Sequence, residues 1–265
     1  MKLICFAVIV ALGFSSAFDA GAAEDRDRKP NIIYVMLDDA GYGDFSAFGS
    51  PHVKTPTFDR ICSEGMKFTD HYSGSAVCAP TRCVLMTGLH TGHCRRRDNT
   101  AKGLVKELSE KNGRPLVFLE DEDATVAESL REAGYYTAGV GKWGLGNPGS
   151  TGVPENQGFD YWYGYLDQVH AHDHFPDEIW DGGKMLPVPG NQGGKKDTYI
   201  PYEQEAKALQ VIREHKDEPF FLYLAVTPPH GAYVIPTNDP AFAMYDGIPG
   251  VTQVQHYAAM VTRTD

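Results

Sequence analysis

Three nearly uninterrupted apolar runs constrain this chain more than any other feature. Residues Asn31–Leu37, Tyr135–Val140 and Phe220–Val226 are rich in β-branched and aromatic side chains and show no polar alternation. A strand that is apolar on both sides needs cover on both sides, as a parallel strand inside a layered sheet has. Helical segments fall between the runs. One opens at Thr55-Pro56-Thr57 and stops at Gly65, and a second spans Thr81–Thr87 after Pro80. A third runs from Thr125 to Ala133, with Ala127, Leu130 and Ala133 on one side and Gly134 as its stop. Two more cover Glu203–His215 and Gln255–Arg263. Met66–His71 reads as a further strand, residues 95–120 as a charged surface excursion, and residues 144–200 as a long loop region. The alternation predicts an α/β fold with a mostly parallel central sheet and helices on both faces.

The chain of 265 residues is long enough to bury a substantial core, and its net charge of −11 lacks the cationic excess that non-specific nucleic-acid binding requires. Lys2, the apolar run Leu3–Phe18 and the small residues Ala20–Ala23 have the order of a secretory signal peptide. The expected organisation is therefore a leader at residues 1–23 and an exported catalytic domain at residues 24–265. No second apolar stretch approaches 18 residues, so no stable membrane span is expected. Beyond the leader stand Cys62, Cys78, Cys83 and Cys94, from which at most one disulfide is expected, with partners that spacing does not reveal.

In such sheets ligands gather beyond the carboxyl ends of the strands, and three strand ends here carry ionisable groups. Asp38-Asp39 sets two carboxylates side by side, a repulsion that a hard divalent cation relieves. Lys142 follows a strand through Gly141, where it can meet an anionic group. His230, after Pro228-Pro229, is held for proton transfer or anion binding. Separately, Cys78-Ala79-Pro80-Thr81-Arg82 places a thiol at a helix start with a guanidinium one turn on, both of which favour anions. Each has a plainer reading: a solvated loop, a surface lysine, a satisfied loop histidine, a buried structural cysteine. Together they describe a hard cation, two or three cationic side chains and a nucleophile, the electrostatics suited to sulfuryl or phosphoryl transfer.

The run Cys78-Ala79-Pro80-Thr81-Arg82-Cys83-Val84-Leu85-Met86-Thr87-Gly88 resembles the signature of the type I sulfatase family, within the alkaline phosphatase-like superfamily. The segment Asn31–Asp44 is similar to that family's N-terminal metal-binding loop, Tyr135–Trp143 to its second signature, and Pro219–Leu224 leading to Pro229-His230 to a third. The resemblance implies hydrolysis of small-molecule or carbohydrate sulfate esters. It implies that a formylglycine-generating enzyme converts Cys78 to formylglycine, whose hydrated aldehyde attacks sulfur with one hydroxyl and releases sulfate through the other. It further implies Ca²⁺ bound by Asp38, Asp39 and residue 78, a stabilising role for Arg82, and sulfate binding and leaving-group assistance by Lys142 and His230.

Two departures stand out. Gly144 occupies the place where the family's second signature carries a histidine thought to act as the base, and His170 or His172 is expected to substitute in the sulfate pocket. The chain also ends at Asp265, before the family's later Asp-Asn metal pair and a further lysine, so it reads as an incomplete, N-terminal catalytic domain with an uncovered strand edge. Two rival readings accompany the sulfatase one: a phosphonate or phosphodiester hydrolase of the same superfamily, and an inactive fragment.

Overall fold

Strand β6 (Phe220–Pro229) lies inside a six-stranded sheet between β1 (Ile32–Asp38) and β2 (Tyr136–Lys142), followed outward by β3 (Tyr161–Tyr165), β4 (Glu178–Asp181) and β5 (Lys184–Pro187). This computed structural model describes residues 29–99 and 117–265, and residues 31–265 form one compact unit. The expected leader lies outside the described residues, as does most of the expected excursion at 95–120. Among the described residues no helix is long and apolar enough to cross a membrane.

The pairs β1–β6, β6–β2 and β2–β3 are parallel, while β3–β4 and β4–β5 are antiparallel. Helix α1 (Pro56–Glu64) opens at Pro56, and alternate residues of β6 face opposite layers. Phe221, Tyr223 and Ala225 pack with Trp162 and with Cys83 and Met86 of helix α2 (Cys78–Thr87) and Ala127 of α3 (Val126–Glu132). Phe220 and Leu222 pack with Ala138, Val140 and with Ile200, Ala208 and Val211 of α4 (Ile200–His215). Helices thus cover both faces, as the sequence predicts. A third cluster joins Val53, Ile235 and Tyr245 to Ala258–Val261 of the last helix (Thr252–Thr264). Gly141 is at φ +118°, and a Cβ there would fall on the Ala225 carbonyl, so the close β2–β6 contact needs glycine.

Several expectations need correction. β1 is an edge strand among the described residues, so Ile33 and Val35 stay 47 % and 51 % exposed rather than buried. Met66–His71 forms no strand, since none lies beside it to take its backbone hydrogen bonds; Met66 and Phe68 are 76 % and 60 % exposed. Helix α2 begins at Cys78 rather than Thr81, because Pro80 sits in the first turn, where its missing N–H is not needed. Residues 144–200 carry β3, β4 and β5 instead of a continuous loop. The aromatic run Tyr161-Trp162-Tyr163 and the two-residue Gly182-Gly183 turn were the available signals, the latter with both residues at positive φ. Helix α3 is bounded by a reciprocal cap between Thr125 and Glu128. Cys62, Cys78, Cys83 and Cys94 are free thiols.

Candidate active site

The order β1-β6-β2 brings Asp38, His230 and Lys142 to one edge of the sheet, because all three strands run the same way and end together. The register shifts between Leu37 and Asp38, and Asp39 adopts φ +62°. In a regular strand consecutive side chains point to opposite faces. Here the shift and the left-handed residue break that alternation at the carboxylate pair.

Asp38 is buried, and its Oδ2 accepts a hydrogen bond from Lys142 Nζ at 2.6 Å, with Arg82 Nη2 at 3.5 Å. Burial alone would raise the Asp38 pKa, but the Lys142 and Arg82 cations outweigh it and hold the carboxyl below its usual range. Asp39 Oδ2 lies 3.2 Å from His230 Nε2. Arg82 sits one turn beyond Cys78 on α2. Its Nη1 donates to the Lys142 carbonyl at 2.5 Å and to Tyr223 Oη at 3.3 Å, while its buried Nε has no partner. The His230 Nδ1 is likewise buried and unpartnered.

Cys78 is the first residue of α2, and the chain before it is extended. Its sulfur, an Asp38 carboxylate oxygen and a His230 ring nitrogen all lie within 4.8 Å of one another. The structure therefore brings together Asp38, Asp39, Cys78, Arg82, Lys142 and His230 from four separate stretches of chain.

The two remaining candidates part company. His172 stacks on His230, with ring centroids 4.2 Å apart. Burial, and then the Lys142 and His230 charges, lower its pKa below that of an ordinary imidazole. His170 packs edge-on against Tyr165 at 5.2 Å, and no described contact joins it to Asp38, Cys78 or His230. Asp167 sets this turn, its Oδ1 accepting from the Val169 and His170 amides.

Sequence reading missed His174, whose Nε2 lies 3.2 Å from the His230 carbonyl and whose pKa burial drives down to about 4. The alternating His170-x-His172-x-His174 spacing was the signal that could have found it. It also missed Tyr223, whose hydroxyl reaches Arg82 from within an apolar strand; no local pattern marks that residue.

A buried guanidinium and ammonium, an imidazole whose charged form is disfavoured, two carboxylates and a side chain at a helix N-terminus can receive a tetrahedral anion and move protons around it. A family model described as Sulfatase matches residues 30–265. The chain is 32 % identical to an N-acetylgalactosamine-6-O-sulfatase of Bacteroides thetaiotaomicron, over 84 % of this chain and 52 % of that protein. It is 32 % identical to human arylsulfatase A, over 75 % of this chain and 41 % of that protein. The crystal structure of Ps i-CgsB in complex with k-i-k-neocarrahexaose superposes with a TM-score of 0.72 at 26 % identity, covering 89 % of this chain and 52 % of that one. The chain thus spans about half the length of these relatives or less.

Proposed function

Because the chain belongs to the sulfatase family, we propose that it hydrolyses sulfate esters, with residue 78 as nucleophile. The observation that carries this reading is the convergence of Asp38, Cys78 and His230 within 4.8 Å, beside the buried Lys142 and Arg82. Sulfated carbohydrates are the favoured substrate class. Support comes from the relative named for N-acetylgalactosamine 6-O-sulfate and the neighbour solved with k-i-k-neocarrahexaose; aryl sulfates present the same head group. The leader-like residues 1–23 support export, and with it modification of Cys78 by a formylglycine-generating enzyme before the chain folds.

Asp38 and Asp39 are the hard oxygen donors that would hold Ca²⁺ together with an oxygen at position 78. The donor set fits: an Asp38 carboxylate oxygen lies within 4.8 Å of the residue 78 sulfur, and the left-handed Asp39 turns its carboxylate to the His230 ring of the same cluster. When bound, calcium supplies positive charge for oxygen atoms of the substrate and of residue 78. Formylglycine supplies a hydrated aldehyde, whose two hydroxyls let the enzyme avoid a stable ester on residue 78.

The chain's own side chains divide the remaining work. Lys142 and Arg82 hold anionic oxygens and need no reorganisation, since both are already buried and fixed. His230 donates a proton to the departing alcohol oxygen, its Nε2 oriented by Asp39. His172 accepts the proton that residue 78 gives up. Its burial beside two cationic groups keeps it neutral at pH values where an ordinary imidazole is partly charged.

The test is to co-express the full chain with a formylglycine-generating enzyme and assay it with Ca²⁺ on an aryl sulfate and on N-acetylgalactosamine 6-O-sulfate. Peptide mass analysis of residue 78 accompanies the assay. Hydrolysis that tracks the fraction of aldehyde at residue 78 is expected. Complete conversion without hydrolysis of either compound would sink the reading.

A further inference from the structure

Gln168 is only 6 % exposed, and neither its amide nitrogen nor its amide oxygen has a hydrogen-bond partner among the described residues. Its place in the fold is specific. Beyond Lys142, the chain continues alongside the end of β3: Trp143 N donates to the Tyr165 carbonyl at 2.8 Å and Gly144 N to the Leu166 carbonyl at 2.9 Å. Two residues later Gln168 turns its amide back over Gly144. A Cβ on Gly144, which is at φ +80°, would fall on the Gln168 amide nitrogen. Gln168 therefore fills the space that a side chain at position 144 would take, two residues beyond Lys142. On its other side the Asp167-capped turn leads to His172, stacked on His230. The amide thus rests on the segment that carries the ammonium group and belongs to the stretch of chain that leads to the imidazole.

A buried amide with both polar atoms unpaired is costly, and the cost is recovered when a ligand supplies the partner. An uncharged carboxamide neither titrates near neutrality nor adds to the site's positive charge, so it does not duplicate Lys142, Arg82 or His172. It offers a directed N–H. We propose that Gln168 is a substrate-positioning residue, its amide N–H donating to an oxygen of the sulfate ester held beside Lys142 and His172. This rests on the sulfate-ester reading and deepens it. The opposing explanation is a plug that only packs on Gly144.

Replacement by methionine separates the two, because it keeps length and volume and removes both hydrogen-bonding groups. The full chain is melted with Ca²⁺ present, as wild type and as Gln168→Met, with and without inorganic sulfate. Without sulfate, Gln168→Met is expected to raise Tm by about 2–4 °C, because an unpaired buried amide is gone. The sulfate concentration giving half-maximal thermal protection is expected to rise roughly tenfold. A variant that melts lower than wild type, or does not fold, shows that the amide serves the folded structure itself and overturns the proposal. Equal sulfate protection in both proteins overturns the Gln168 assignment alone. Wild type that gains no protection from sulfate overturns the sulfate-ester reading, and this proposal with it.

Discussion

Lys142 Nζ lies 2.6 Å from Asp38 Oδ2, and both side chains are buried. The pair joins the carboxyl ends of β1 and β2 across the intervening β6. Removing one member of a buried ion pair leaves the other uncompensated, which typically costs 3–5 kcal/mol. Arg82 at 3.5 Å shares the Asp38 charge, so Lys142→Met should fall near the low end, about 3 kcal/mol. Lys142→Met combined with Asp38→Asn should cost less than the sum of the single changes. Urea denaturation measures the cycle, and additivity within about 0.5 kcal/mol would show that the two groups are not coupled.

His172 carries the second prediction. Burial, Lys142 and His230 all disfavour its charged form, so its imidazole should titrate below 6.5. Removing a neighbouring cation reverses one of these effects. In Lys142→Met the His172 midpoint, followed by NMR of its ring protons, should therefore move up. In the modified enzyme His172→Ala should lower turnover by about 10²-fold or more, while His170→Ala, whose ring rests on Tyr165, should change it much less. An unmoved midpoint together with equal losses for the two variants would remove His172 from its assigned role.

Acid stability depends on His174. Burial depresses its folded-state pKa to about 4, below the 6.5 of an ordinary imidazole. The unfolded chain thus binds a proton between these values that the folded chain refuses. Stability from this group is full above pH 6.5, is lost as pH falls toward 4, and changes no further below that. The size is about 3 kcal/mol. His174→Phe should flatten the corresponding part of the stability–pH curve measured by denaturant titration; an unchanged slope would mean the group is not buried in its neutral form.

Calcium should stabilise the fold if Asp38 and Asp39 hold it. At a hundred times its dissociation constant the ion adds about 2.7 kcal/mol. Asp39→Asn should reduce the calcium-dependent rise in Tm, and a chelator should remove it from wild type. A Tm indifferent to both would exclude these carboxylates as calcium ligands.

How much was legible follows from where each signal resides. Local order was readable: the apolar runs at β1, β2 and β6, the helix opening at Thr125, the Gly65 and Gly134 stops and the Cys78–Gly88 run all act through residues adjacent in the chain. Two short-range signals, the Tyr161–Tyr165 run and the Gly182-Gly183 turn, were present but hidden in a segment rich in loop-forming residues. The exposure of β1 was not local at all. Ile33 and Val35 look like core residues until the sheet order places their strand at an edge.

The sequence by itself determined the α/β class, the strand ends that bear charge and the helix that presents Cys78 and Arg82, because backbone propensity and apolar patterning are short-range. Only the tertiary structure decided that His172 rather than His170 lies on His230, that Lys142 reaches Asp38, and that Gln168 fills the space above Gly144. Those contacts depend on strand order and on how two turns settle against the sheet; His170 and His172 share one short 3-10 turn, whose residues leave it in different directions, and only its placement decides which of them meets His230.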